Sequence, residues 1–152
     1  MKKVNSILFL AVAAIMAICV GASCSSSDSE ELDPYIDVDA SGFHTKIAKL
    51  DSAGAKYVIV DGRKAALYAA GHIKGAVNYE VTAQNTIDNN AAFPAWLKAN
   101  YPIASGYYVL IYGCPSYYGP GRVSDCGYGR PHTYYLNGNY AAWVKAYPTE
   151  IE

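Results

Sequence analysis

Two short, unbroken apolar runs set the terms on which this chain can fold. Tyr57-Val58-Ile59-Val60 is hemmed in by Lys56 and Asp61, and Tyr107 to Tyr112 runs straight into Gly113-Cys114. Runs of this length without polar alternation suit strands buried on both faces, the pattern of a parallel sheet covered by helices. The intervening segments have helical character. Arg63 to Ala70 is rich in helix formers and stops at Gly71. Phe93, Trp96, Leu97 and Tyr101 recur at helical spacing, with Pro94 in the first turn and Pro102 past the end. Gly75 to Tyr79 and Thr133 to Leu136 read as further strands, and Tyr140, Trp143, Val144 and Tyr147 give a last amphipathic helix before Pro148. Strands alternating with helices predict an α/β fold with a mainly parallel central sheet flanked by helices. The two aromatic stripes read as core. With 152 residues there is room for one such domain, placed at residues 41–152.

The amino-terminal stretch has a different character. Lys2 and Lys3 precede an apolar run from Ile7 to Val20, too short to span a bilayer comfortably as a helix, and small residues then lead to Cys24. This is the layout of a cleavable export signal over residues 1–23. Gly21-Ala22-Ser23-Cys24 resembles the lipobox of bacterial lipoproteins, which implies acylation of Cys24 and attachment to a membrane of the cell envelope. An ordinary secretory signal with an incidental Cys24 is the alternative. Residues 24–40 are rich in serine and acids, with few large side chains to bury, and read as a flexible tether.

Net charge is −1 overall, but six acids (Asp28, Glu30, Glu31, Asp33, Asp37, Asp39) fall in the tether, and every Lys or Arg after the signal lies at Lys46 or later. The domain is therefore mildly basic, which is compatible with small anionic substrates. No basic run exists, so nucleic acid is not an expected partner. His44 and His132 have no motif context, and no Cys/His cluster at ligand spacing points to a metal.

Val58-Ile59-Val60-Asp61-Gly62-Arg63, followed by Tyr68-Ala69-Ala70-Gly71-His72-Ile73-Lys74-Gly75-Ala76-Val77-Asn78, resembles the rhodanese pattern of an apolar strand ending in Asp-x-Arg, a short helix, and Gly-His-Ile-Pro-Gly-Ala before another strand. Lys74 stands in place of the proline. Val109-Leu110-Ile111-Tyr112-Gly113-Cys114 resembles the strand leading to that family's active cysteine. Leu136-Asn137-Gly138-Asn139-Tyr140-Ala141-Ala142-Trp143 resembles its Gly-Gly-x-x-x-Trp signature. Asn139 replaces the second glycine and tolerates left-handed backbone better than most residues. The resemblance implies a rhodanese-like three-layer fold, structural roles for Asp61, Arg63 and His72, and no cofactor.

For Cys114 the resemblance implies sulfurtransfer. A sulfane sulfur held as a persulfide passes from an anionic donor such as thiosulfate or polysulfide to a thiol or cyanide-like acceptor, by ping-pong exchange. The surrounding loop would stabilise the charged sulfur through inward amides and a helix amino terminus. The loop departs from the family's shorter form: Cys114-Pro115-Ser116-Tyr117-Tyr118-Gly119-Pro120-Gly121-Arg122 brings its glycine and arginine in late, and two prolines remove amides. Arg122 and Arg130 are the candidates for attracting the donor. Cys126 leaves three states open: a free catalytic Cys114, a structural Cys114–Cys126 disulfide, or a redox pair in which Cys126 is the resolving thiol. The disulfide would go with a catalytically inactive module that binds an envelope partner.

Overall fold

The computed structural model describes residues 34–88 and 90–152. The export signal, Cys24 and most of the tether lie outside the described residues. Five strands form the sheet: β1 (Ile36–Val38), β2 (Tyr57–Asp61), β3 (Ala76–Asn78), β4 (Tyr108–Tyr112) and β5 (Thr133–Leu136). Their order is β1-β5-β4-β2-β3, and every pairing is parallel. The expected architecture is thus present, with an all-parallel sheet. The helices are α1 (Ala40–Ser52), α2 (Ala65–Ala69), α3 (Ala92–Asn100), α4 (Pro120–Val123), one distorted turn α5 (Gly129–His132), and α6 (Asn139–Ala146).

Strand periodicity sorts the core into two layers, because successive side chains leave opposite faces of the sheet. Ile59, Leu110, Tyr112 and Leu136 pack with Phe43 and Leu50 of α1 and Trp143 of α6. Val58, Val60, Val109 and Ile111 face Phe93 and Leu97 of α3 and Val123 of α4. The aromatic residues Phe93 and Trp143 are fully buried, as core residues of the two stripes should be. Trp143 meets Phe43 edge to face at 5.9 Å.

Two boundaries differ from the sequence reading. The domain begins before Ser41, because Ile36–Val38, assigned to the tether, adds an edge strand beside β5. Asp39 then caps α1, its carboxylate accepting from the Gly42 amide at 2.7 Å. The first expected helix also starts later, at Ala65 rather than Arg63. Arg63 is withheld because its backbone N–H donates to the Asp61 side chain at 2.9 Å. Between α4 and β5 the chain makes a wide π-type turn over Ser124–Tyr128, with Gly127 at φ 96°, in keeping with the poor helix composition there.

Candidate active site

Strand order decides where a site can form. After β2 the chain moves outward to β3, and after β4 it moves the opposite way to β5. The carboxyl ends of β2 and β4 therefore flank a topological switch point, the crevice where open α/β sheets bind ligands. Gly62 and Arg63 leave β2 at this point, and Gly113 and Cys114 leave β4 beside them.

The β2 end is a closed polar knot. Arg63 grips the Asp61 carboxylate through two nitrogens, Nε to Oδ1 at 2.9 Å and Nη2 to Oδ2 at 2.6 Å. Nη2 also donates to the Gly71 carbonyl at 2.7 Å. The Tyr112 hydroxyl donates to Asp61 Oδ2 at 2.7 Å and accepts from the Ile73 amide at 3.1 Å. The Arg63 guanidinium lies 3.8 Å from the centre of the Tyr140 ring. Burial and the Asp61 carboxylate together raise the Tyr112 hydroxyl far above its ordinary value. His72 stacks on Tyr68 at 3.7 Å, and its Nδ1 lies 3.1 Å from the Tyr68 carbonyl. These three motif residues bind one another's neighbourhood together.

Beside this knot lies Cys114, and its thiol sits between two glycines. A Cβ built on Gly62 would lie 2.7 Å from Cys114 Cβ and 3.0 Å from Sγ, and one built on Gly119 only 2.2 Å from Sγ. The Gly62 amide donates to the Tyr112 carbonyl at 2.8 Å, which ties the two strand ends together. Cys114 is 7% exposed. Burial first, and the Asp61 charge second, push its thiol up to about 12. The loop's amides do not offset this. Tyr118 and Gly119 donate to the Pro115 carbonyl, and Gly121 to the Ser116 carbonyl, while Pro115 and Pro120 have no amide to give. Burial in this closed loop thus favours the protonated thiol over the thiolate expected from the sequence.

A cleft of about 480 Å³ reaches Cys114, lined also by Arg63, Gly113, Pro115, Tyr135, Asn139, Tyr140 and Ala141. The Tyr135 hydroxyl donates to the Cys114 carbonyl at 2.7 Å and so braces the loop from β5. Asn139 has φ 58°, the left-handed angle anticipated for it. Its Oδ1 accepts from the Ala141 amide at 2.9 Å.

Other loop residues face elsewhere. Ser116, Tyr117 and Arg122 line a second cleft of about 310 Å³, with Pro34, Tyr35, Gly121 and Asp125. Arg122 pairs with Asp125 at 2.9 Å and donates to the Ile87 carbonyl at 3.2 Å. Arg130 is exposed and lines neither cleft. Both arginines are thus apart from the Cys114 cleft, because the lengthened loop carries Arg122 past the switch point. Cys114 and Cys126 are free thiols in the structure, and no group of three or more His, Cys, Asp or Glu capable of holding a metal exists among the described residues.

Comparison with known proteins identifies the family. The family model for the rhodanese-like domain matches residues 44–146. The chain belongs to the rhodanese-like domain family. Among solved structures, the chain is similar to a rhodanese-like domain from Anabaena, at 22% identity and TM-score 0.41 over 80% of each chain. It is also similar to a Lactobacillus plantarum protein, at 24% identity and TM-score 0.43 over 80% of this chain and 89% of that one. None of the curated proteins compared gives a significant match. Within this rhodanese-like domain, Gly62 and Tyr135 are among the site residues that the sequence reading passed over, with Gly113, Tyr140 and Ala141 of the cleft. A glycine at a strand end, which marks close backbone approach, was the available signal for the first. Tyr135 is one tyrosine among 15, and nothing in the sequence distinguished it.

Proposed function

We propose that this rhodanese-like domain is an extracytoplasmic sulfurtransferase that carries sulfane sulfur as a persulfide on Cys114 and passes it to a nucleophilic acceptor. The observation that carries the reading is the position of Cys114, at the switch point after the central strand and at the end of a cleft. Attack of the Cys114 thiolate on the outer sulfur of thiosulfate forms the Cys114 S–S bond, breaks the donor's S–S bond and releases sulfite. An acceptor thiol or cyanide then takes the sulfur and returns the thiolate. The thiol's raised value makes loop opening part of the cycle. When Gly119 moves off Sγ, water reaches the sulfur and the desolvation that holds the proton in place is relieved. The export signal and Cys24 support a lipid-anchored location in the cell envelope.

A second reading has a specific observation in its favour. The loop amides committed to the loop's own carbonyls and the 7% exposure of Cys114 suit a catalytically silent module that binds an envelope partner. One experiment separates the two. The purified chain is incubated with thiosulfate or inorganic polysulfide, its intact mass is measured, and cyanide is then added while thiocyanate is assayed. A gain of about 32 Da that cyanide discharges, absent from Cys114→Ser, supports sulfurtransfer. No gain with any donor refutes it. A mass two hydrogens below the reduced value would point to a Cys114–Cys126 disulfide and the silent module.

A further inference from the structure

The Cys114 loop is poorly equipped to hold an anion. Its Tyr118, Gly119 and Gly121 amides are spent on the loop's own carbonyls, and Pro115 and Pro120 bring none. Arg122 lines the other cleft and is paired with Asp125. We infer that the anionic end of the donor, a sulfonyl group such as that of thiosulfate or an organic thiosulfonate, is held instead by Arg63 and Asn139, from the end of β2 and the start of α6. This inference rests on the sulfurtransferase reading and assigns the residues that bind its substrate.

Arg63 has one corner of its fork to give. Nε and Nη2 grip the Asp61 carboxylate, and Nη2 also donates to the Gly71 carbonyl. Nη1 is the nitrogen left over. It makes no hydrogen bond among the described residues, and it is not sealed away, since the buried side-chain atoms without a partner there are Arg122 Nε and Thr133 Oγ1. A guanidinium carries five N–H groups in a fixed fork, so Asp61 on one edge does not prevent a second anion at another. Asn139 is exposed at the first position of α6, with φ 58°, and its Oδ1 accepts from the Ala141 amide. That cap fixes the side chain and leaves Nδ2 as a donor with no partner among the described residues. Both side chains line the cleft that reaches Cys114. The Tyr140 ring, 3.8 Å from the Arg63 guanidinium, covers one face of it and lines the same cleft.

The placement matters for the chemical step as well as for binding. Once the loop has opened and the thiol proton has gone to solvent, the Cys114 thiolate bonds to the outer sulfur of thiosulfate. The donor's S–S bond breaks, and its electron pair leaves on sulfite. Negative charge therefore grows on the sulfonyl end of the donor, where Arg63 Nη1 and Asn139 Nδ2 donate, and fixed donors at that end stabilise the charge as it develops.

The test compares two reactions of Cys114 in the purified, reduced chain. One is loading by thiosulfate, read as a gain of about 32 Da by intact mass, and the other is alkylation by the neutral reagent iodoacetamide. Both need the loop to open, so the ratio of their rates reports on the donor's anchor. Asn139→Asp keeps a carboxyl oxygen for the Ala141 cap and tolerates the left-handed backbone, but it puts negative charge where the amide nitrogen was. The ratio should fall on the order of tenfold or more. Asn139→Gly, which fits the same backbone and removes the donor without adding charge, should lower it by a smaller factor. Arg63→Lys, which keeps a cation beside Asp61 but loses Nη1, should lower it too. An unchanged ratio in both Asn139 variants, with the parent loading, would overturn the anchor and leave sulfurtransfer standing, and so would loading of the parent by inorganic polysulfide alone. Absence of loading by either donor, or equal loading of Cys114→Ser, would overturn both.

Discussion

Replacing Gly119 by alanine should unseat the Cys114 thiol, and the magnitude follows from the packing. The new methyl would lie 2.2 Å from Cys114 Sγ, 3.3 Å from Ile111 Cδ1 and 3.5 Å from the Pro115 carbonyl oxygen. Only the first contact is impossible, and it meets the side chain of a residue held between Gly62 and the loop. The sulfur or the loop must therefore shift. Overpacking a buried site by one methyl costs about 1–3 kcal/mol. Alanine also restricts the unfolded chain, which returns about 0.4–1 kcal/mol. The net expectation is destabilisation of about 1–2 kcal/mol, a fall in Tm of roughly 4–8 °C for a domain of this size. The assay is a urea unfolding curve for Gly119→Ala, alone and in a Cys114→Ala background, with the native rate of Cys114 alkylation measured alongside. Removing Sγ should restore most of the loss, giving a coupling of about 1 kcal/mol, and the single variant should alkylate faster than the parent. Equal destabilisation in both backgrounds would refute the assignment of the clash to the sulfur.

Asp61→Asn should cost about 3–5 kcal/mol by urea denaturation, because it leaves the Arg63 guanidinium without its carboxylate in a site where Asp61 is fully buried. Trp143→Ala should cost about 3–5 kcal/mol in the same assay, since the ring is fully buried against Phe43 and no neighbour can fill the void. Cys114 should also make stability fall with rising pH. Its folded value lies above its unfolded one, so its contribution is complete below about 9 and is lost progressively toward 12. Denaturation midpoints measured across that alkaline range should fall more steeply for the parent than for Cys114→Ser, and identical slopes would contradict the buried-thiol assignment.

The strands were legible because a parallel sheet covered on both faces needs uninterrupted apolar runs, and Val58–Val60 and Val109–Tyr112 supply them. Helix α1 was missed by the sequence reading, although Asp39 as cap and Phe43, Ile47 and Leu50 at helical spacing were available signals, and the acidic stretch before it drew the domain boundary too late. The strand Ile36–Val38 is three residues long and carries Asp37, so its pairing with β5 is set by tertiary contact rather than by composition. At the site, Cys114 was visible from the strand that precedes it. The protonation of its thiol was not, because that depends on Gly119 folding back over the sulfur and on Asp61 lying nearby across two strands. Arg122 was assigned to the donor on sequence proximity, whereas the three-dimensional path of the long loop carries it to a different cleft.

The pairing of β1 with β5 also governs how the domain is made. Among the described residues the first strand pairs only with Thr133–Leu136, nearly the whole domain later in the chain, and the Glu152 amide and carbonyl close a further pair with the His72 backbone. A chain emerging amino end first cannot complete the sheet until Thr133–Leu136 is free. Until then β1 is an unpaired strand, and the finished loop architecture around Cys114, braced by Tyr135 of that same late strand, does not yet exist. Shelter of the Cys114 thiol is thereby coupled to the arrival of β5.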